Sequence, residues 1–239
     1  VGLETIRKLL IEINNMKVPI ATELLDTIIP QYIDDCISWG CIGARTTESQ
    51  LHRQLVSGLS IPMGFKNGTS GNTDISVNGC ISSKAKHSFL GINKNGKANI
   101  VHTKGNPFCN VVLRGSKEKG NNINESTINE VNSKLLENNL LTGVIIDLSH
   151  DNTIINGKKN YTRQVENIYN VIELLKKKVD INGVMIESNI NSGSQPVTDN
   201  LAYGVSITDG CIDIKTTQQI LMDFDNFLNN LFLKNLILT

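Results

Sequence analysis

Short apolar runs alternate with amphipathic segments along nearly the whole chain. The runs are VPIATELL at 18–25, CISWGCIGA at 36–44, IPMGFKN at 61–67, CNVVLRG at 109–115, GVIIDLSH at 143–150 and GVMIESN at 183–189. The length and β-branched content of Ile37 through Ala44 predict a strand buried on both faces, and the other runs read as strands as well. Between and around them the apolar period lengthens to that of a helix. One helical pattern runs through Leu3, Ile6, Leu9, Leu10 and Ile13, a second through Ile128, Val131, Leu135 and Leu136, and a third through Val165, Ile168, Val171, Ile172 and Leu175. A last one carries Ile220, Leu221, Phe224, Phe227, Leu228 and Leu231. After the 36–44 run, Thr47 with Gln50 reads as a capping box that opens a helix through Leu51, Leu55 and Val56. Strand alternating with helix argues for parallel βαβ units.

One stretch breaks the alternation. SFLGINKNGKANIVHTKGN holds two extended pieces around Asn95-Gly96, a dipeptide that favours a tight hairpin turn, so a β-hairpin insertion is expected near 88–104. No Pro/Gly/Ser-rich linker divides the chain, and a single domain over 1–239 is expected.

The ends of the apolar runs carry the chemistry: Glu23, Arg45, Lys66, Arg114, His150 and Glu187. A (β/α)₈ barrel builds its active site at the carboxyl ends of several strands, whereas a doubly wound sheet uses fewer ends near one switch point. So many reactive strand ends favour the barrel. Six runs fall short of the eight that closure needs, and the chain enters directly into a helical pattern without a methionine. The expected architecture is therefore a (β/α)₈ barrel incomplete at its N-terminus, represented by about its last six βα units.

Charge narrows the partners. The chain carries 23 basic and 23 acidic residues, which gives no broad field for nucleic acid or an anionic membrane. No apolar run approaches the roughly 20 residues of a spanning helix. The cysteines at 36, 41, 80, 109 and 211 form no CxxC pair and follow no secretory leader, which points to a reducing cytoplasm. A small anion held by a few placed cations remains open.

Three cations suit that role. Arg45, Lys66 and Arg114 end three different runs; arginine captures carboxylate or phosphate in bidentate fashion, and lysine acts as a compact point charge. The plain alternative is that each pairs with an acid such as Glu23 or Glu48. His150 in DLSHDN, Glu187 in MIESN and Asp209 in SITDGC would together suit a divalent ion such as Mn²⁺, Fe²⁺ or Zn²⁺, although they share no local spacing. A single histidine at a strand end is more often a hydrogen-bonded structural residue than a ligand. His52, His87 and His102 look like ordinary hydrogen-bonding residues, and Trp39 like core.

The segment PQYIDDCISWGCIGARTTESQLHRQLVSGLSIPMGFKNGT, followed by NVVLRG, IIDLSH, GVMIES and YGVSITDGC, resembles type I 3-deoxy-D-arabino-heptulosonate-7-phosphate (DAHP) synthase, in collinear order from about residue 2 to 228. GARTTESQ and GFKNGT are the most specific parts. The resemblance implies a metal-dependent barrel enzyme of the shikimate pathway that condenses phosphoenolpyruvate with erythrose 4-phosphate. Residue by residue, it implies that Arg45, Lys66 and Arg114 hold phosphoenolpyruvate, that Lys66 and His150 are catalytic, and that His150, Glu187 and Asp209 ligate a divalent metal. A further cysteine ligand and a Lys-Pro-Arg-Thr segment of the family would precede Val1, so this stretch alone is expected to be inactive and poorly folded. Cys41 occupies a different place in the pattern and does not replace that ligand.

The family also implies feedback inhibition by an aromatic amino acid, in a pocket involving Pro30, Gln31, Leu59, Ser60 and Phe89 together with a neighbouring subunit of a homodimer or homotetramer. LGIN, KGNP and IESNI favour tryptophan as the effector. Two other readings stand beside this one: a non-catalytic aromatic amino-acid-binding module derived from such a barrel, and the related 3-deoxy-octulosonate 8-phosphate synthase, which GARTTESQLHR and the hairpin disfavour.

Overall fold

A computed structural model describes residues 2–93 and 95–237, with side chains up to residue 231. The expected strands are β1 (Ala21–Glu23), β2 (Trp39–Ile42), β3 (Met63–Lys66), β6 (Cys109–Leu113), β7 (Val144–Asp147) and β10 (Ile181–Met185). The insertion supplies β4 (Ser88–Ile92) and β5 (Ala98–His102), and shorter pieces form β8 (Ile154–Ile155), β9 (Lys158–Lys159), β11 (Ser188–Asn189) and β12 (Ile212–Asp213). The six-stranded sheet runs in the order β1-β2-β3-β6-β7-β10, which is chain order with the hairpin skipped. Its first four strands pair in parallel, with Glu23 level with Cys41, Ile42 with Phe65, and Lys66 with Val112. The helices are α1 (Gly2–Asn15), α2 (Pro30–Ile33), α3 (Gln50–Gly58), α4 (Asp74–Lys84), α5 (Glu125–Glu137), α6 (Arg163–Lys176) and α7 (Ile214–Ile237). None of the described helices is long and apolar enough to cross a membrane.

The chain forms two compact units, Val1–Leu113 with Glu130–Ile145, and Arg114–Asn129 with Ile146–Thr239. In the first, Ile42, Met63, Phe65, Val111 and Leu113 of the strands are buried, as are Val131 and Leu135 of α5. Gly64 lets the half-buried Trp39 ring lie against β3, since a methyl group there would collide with the indole. α4 packs on β3, β6 and α3, and Gly79 of α4 accepts the Phe65 ring, which a methyl carbon would approach to 2.7 Å. In the second unit, Leu148, Ile168, Val171, Ile212 and Ile220 are buried, and α6 packs on α7.

The hairpin stands where the sequence puts it: β4 and β5 pair antiparallel from Ser88↔His102 to Ile92↔Ala98, and Gly96 takes the left-handed backbone, φ 73°. The expected cap of α3 is different. Ser49, in extended conformation, caps the helix and accepts the His52 N–H. Thr47 is fully buried, and its hydroxyl is committed to the carbonyl of Gly43 at 3.0 Å and that of Lys66 at 2.7 Å.

Candidate functional site

In the first unit the site residues gather around the end of β2. Gly43 follows β2, and its carbonyl accepts the N–H groups of Thr46 and Thr47, folding residues 44–48 into a turn. Arg45 sits on that turn with its side chain exposed, and among the described residues it makes no hydrogen bond or ion pair. Arg53 of α3 secures the turn from beneath, donating to the carbonyls of Thr47 (3.0 Å) and Ile75 (3.1 Å). Burial pulls its guanidinium pKa down, opposed by the charge of Glu48.

Lys66 ends β3 and is buried, with Nζ 3.3 Å from Oε2 of Glu23, the last residue of β1. Glu23 reaches it over Gly43, where a methyl group would strike the Glu23 carboxylate. The residues expected to form an effector pocket also lie in this unit. Pro30 and Gln31 open α2, Leu59 and Ser60 follow α3, and Phe89 is half-buried in β4; Pro30 and Leu59 are buried, while Gln31 and Ser60 are exposed.

The second unit holds the histidine. β7 stops at Asp147, whose Oδ1 accepts the Ser149 N–H at 2.9 Å, and a short 3₁₀ turn, His150–Thr153, follows. The expected strand through residue 150 is therefore shorter, because the Asp147 carboxylate turns the chain. His150 adopts φ 48°, uncommon for a side-chain-bearing residue. Its Nδ1 lies 2.6 Å from Oδ2 of the fully buried Asp147. Its Nε2 lies 3.7 Å from both Glu187 Oε1 and Asp209 Oδ2. Gln164 of α6 fixes Glu187 through the main chain, accepting its N–H at 2.8 Å and donating to its carbonyl at 3.1 Å. Asp209 is held by Lys159 of β9, Nζ to Oδ1 2.7 Å. Burial pushes the Asp209 carboxyl up, but the Lys159 hydrogen bond and the charges of Lys159, His150 and Arg114 together bring it below the usual range.

Arg114 follows β6 and is also buried. Its Nη1 is 2.8 Å from Asp151 Oδ2, and its carbonyl accepts the Asp151 N–H at 3.1 Å. Two of the three cations thus have acid partners, Lys66 with Glu23 and Arg114 with Asp151. Asp147, Asp151, Lys159 and Gln164 were not singled out in the sequence. Asp147 and Asp151 flank His150 within DLSHDN, a local density of acids around a histidine that could have flagged them; Lys159 and Gln164 give no such signal.

Among the described residues no group of three or more His, Cys, Asp or Glu side chains is placed to hold a metal ion. Two ligands each about 2.1 Å from one ion stand roughly 3–3.5 Å apart; His150 Nε2 stands 3.7 Å from each carboxylate, slightly wider than that and beyond hydrogen-bond length. The Asp147 contact on Nδ1 matches the carboxylate–histidine pairs that orient metal-binding imidazoles.

Residues 2–222 match the family model described as the DAHP synthetase I family. The chain is similar to the Trp-sensitive phospho-2-dehydro-3-deoxyheptonate aldolase of Buchnera aphidicola, 42% identical over 234 residues, covering 97% of the chain and 66% of the relative. It is also similar to a tyrosine-inhibited phospho-2-dehydro-3-deoxyheptonate aldolase of Candida albicans, 44% identical over 230 residues, covering 92% and 60% respectively. The solved structure of phospho-2-dehydro-3-deoxyheptonate aldolase from Francisella tularensis superposes with a TM-score of 0.90 at 41% identity, over 95% of this chain and 66% of that one. The chain therefore spans less than two thirds of the length of the relatives it matches, and its fold is that of an incomplete (β/α) barrel.

Proposed function

The chain belongs to the DAHP synthetase I family, and on that premise we propose that the full-length protein condenses phosphoenolpyruvate with erythrose 4-phosphate and water, giving DAHP and inorganic phosphate. The observation that carries the reading is the His150 ring, turned by Asp147 to face Glu187 and Asp209. Arg45, Lys66 and Arg114 would bind the phosphate and carboxylate of phosphoenolpyruvate, two anionic groups on neighbouring atoms that call for converging cations. His150, Glu187 and Asp209 would hold a divalent ion such as Mn²⁺, Fe²⁺ or Zn²⁺, which supplies Lewis acidity toward the acceptor aldehyde.

Within that arrangement the chain's own groups bind and orient. The cations neutralise the phosphate as the enol carbon of phosphoenolpyruvate bonds to the aldehyde carbon. Water then adds at the phosphate-bearing carbon, and phosphate leaves with its bridging oxygen. Glu23 steadies the Lys66 ammonium from the side. Holding two anionic substrates in attack geometry contributes much of the acceleration.

The test uses the full-length protein: phosphate release should need both substrates, stop on chelation and return with a divalent metal. Turnover with arabinose 5-phosphate in place of erythrose 4-phosphate would move the assignment to the octulosonate enzyme. For regulation we propose an aromatic amino acid, tryptophan before tyrosine, binding a cytoplasmic homodimer or homotetramer near Pro30, Gln31, Leu59, Ser60 and Phe89. Inhibition by tyrosine or phenylalanine with no effect of tryptophan would overturn that choice.

A further inference from the structure

Arg114 carries a permanent counter-charge. The Asp151 carboxylate lies 2.8 Å from Nη1, and both side chains are more than nine-tenths buried. Asp151 has little freedom to move away, because the turn that bears it is fastened on both sides. Its own N–H donates to the Arg114 carbonyl. The next residue, Asn152, is fully buried: Nδ2 donates to the Asp147 carbonyl at 2.8 Å, and Oδ1 accepts the Asn122 N–H at 2.9 Å. The Asn152 carbonyl accepts from the side-chain amides of Asn121 (3.0 Å) and Asn167 (3.1 Å). Gly115 closes the other side, where a methyl group would come within 2.7 Å of Asn152.

A guanidinium held in this way keeps its charge and its directed N–H groups, but together with Asp151 it forms a pair of no net charge. An arriving anion therefore meets a neutral pair, and a dianionic phosphate meets a fixed carboxylate a few ångströms behind its arginine. At such separations, in a site sheltered from solvent, one unit of charge changes anion affinity substantially. Resting on the assignment of Arg114 to phosphoenolpyruvate made above, we infer that Asp151 is an affinity-setting residue that weakens binding of the phosphate-bearing substrate and eases departure of inorganic phosphate.

The experiment measures dissociation constants for phosphoenolpyruvate and for inorganic phosphate by calorimetry on the full-length protein. The variants are Asp151→Asn, which keeps an amide oxygen near Nη1, and the shorter Asp151→Ser, both of which remove the charge, together with Arg114→Ala and the double variant Arg114→Ala/Asp151→Asn. The expected result is a fall of at least about tenfold in both constants for Asp151→Asn, steeper salt dependence, and loss of the gain when Arg114 is absent. Unchanged or weaker binding in Asp151→Asn and Asp151→Ser, while an Arg114→Ala variant that still melts cooperatively binds poorly, overturns the inference and leaves the assignment of Arg114 intact. Binding by Arg114→Ala as tight as wild type overturns the assignment and the inference together. Loss of cooperative melting in both single Asp151 variants would make the carboxylate a structural requirement and would equally overturn it.

Discussion

The Thr47 hydroxyl donates to the main-chain carbonyl of Lys66 at 2.7 Å, joining the turn after β2 to the last residue of β3. The same oxygen lies 3.0 Å from the Gly43 carbonyl, so one buried hydroxyl spans two strand ends. It has one proton and so serves the two carbonyls in a shared bond or by alternation. Thr47→Val keeps the shape and removes the donor, leaving the Lys66 carbonyl without it. The expected cost is roughly 1–3 kcal/mol, read as a lower denaturant midpoint with an unchanged slope. A midpoint equal to wild type would show that the strand ends are held by other means.

Asp147 and His150 make the second testable pair. The carboxylate touches Nδ1 at 2.6 Å and also accepts the Ser149 N–H, so it sets both the ring orientation and the turn that delivers it. Asp147→Asn retains an oxygen for the Ser149 N–H and loses the charge facing the imidazole. Loss of such a partner typically lowers metal affinity about 10–100-fold. Competition against a chelator of known affinity reads this directly in the full-length protein, without reference to turnover. Affinity within twofold of wild type would remove Asp147 from the support of the site.

The five cysteines are all buried and free, and Cys80 is the clearest titration case. Its thiol is pushed well above the usual range, chiefly by a hydrogen bond with Cys109 and then by burial. The thiolate is thus disfavoured in the folded state, so this group's stabilising contribution is full below the unfolded thiol pKa of about 8.5. It erodes as pH rises from there toward the folded value. Native protein at pH 8 should leave Cys80 unmodified by a thiol reagent, whereas unfolded protein should label all five positions. Raising the pH from 8 to 10.5 should lower the denaturation midpoint less in Cys80→Ala than in wild type. Rapid native labelling of Cys80, located by peptide mapping, would contradict this.

Elements with strong periodicity were the legible ones. β3 and β6 lie within predominantly apolar runs, and the buried face of α6, Ile168, Val171 and Ile172, follows the helical period. α4 gives no periodic signal because its buried face is Ser76, Val77, Gly79, Cys80 and Ser83, small residues with little hydrophobic contrast against their neighbours. Local spacing puts the cap at Thr47 rather than at Ser49 because it is blind to a carbonyl 19 residues away that claims the threonine hydroxyl. The candidate site divided in the same way. Strand-end residues could be found from the ends of apolar runs, but pairings such as Arg114 with Asp151 or Asp209 with Lys159 join residues far apart in the chain. Such pairings follow from the fold and from no local pattern.

Arg45 separates function from structure most cleanly. Lys66 and Arg114 are buried in ion pairs, so their removal would disturb folding and binding together. Arg45 is exposed and makes no hydrogen bond or ion pair among the described residues. Its turn is held by Thr47, Gly43 and Arg53 without help from its side chain. A structural ion pair would make Arg45→Ala destabilising; this geometry predicts a change within about 0.5 kcal/mol. If Arg45 contacts the carboxylate or phosphate of phosphoenolpyruvate, the same variant should raise the KM for phosphoenolpyruvate by tenfold or more, the loss of one charge-assisted contact, and leave the KM for erythrose 4-phosphate nearly unchanged. Denaturation and steady-state kinetics on one preparation read both. A destabilised variant, or one with unaltered KM for phosphoenolpyruvate, would take Arg45 out of the binding site.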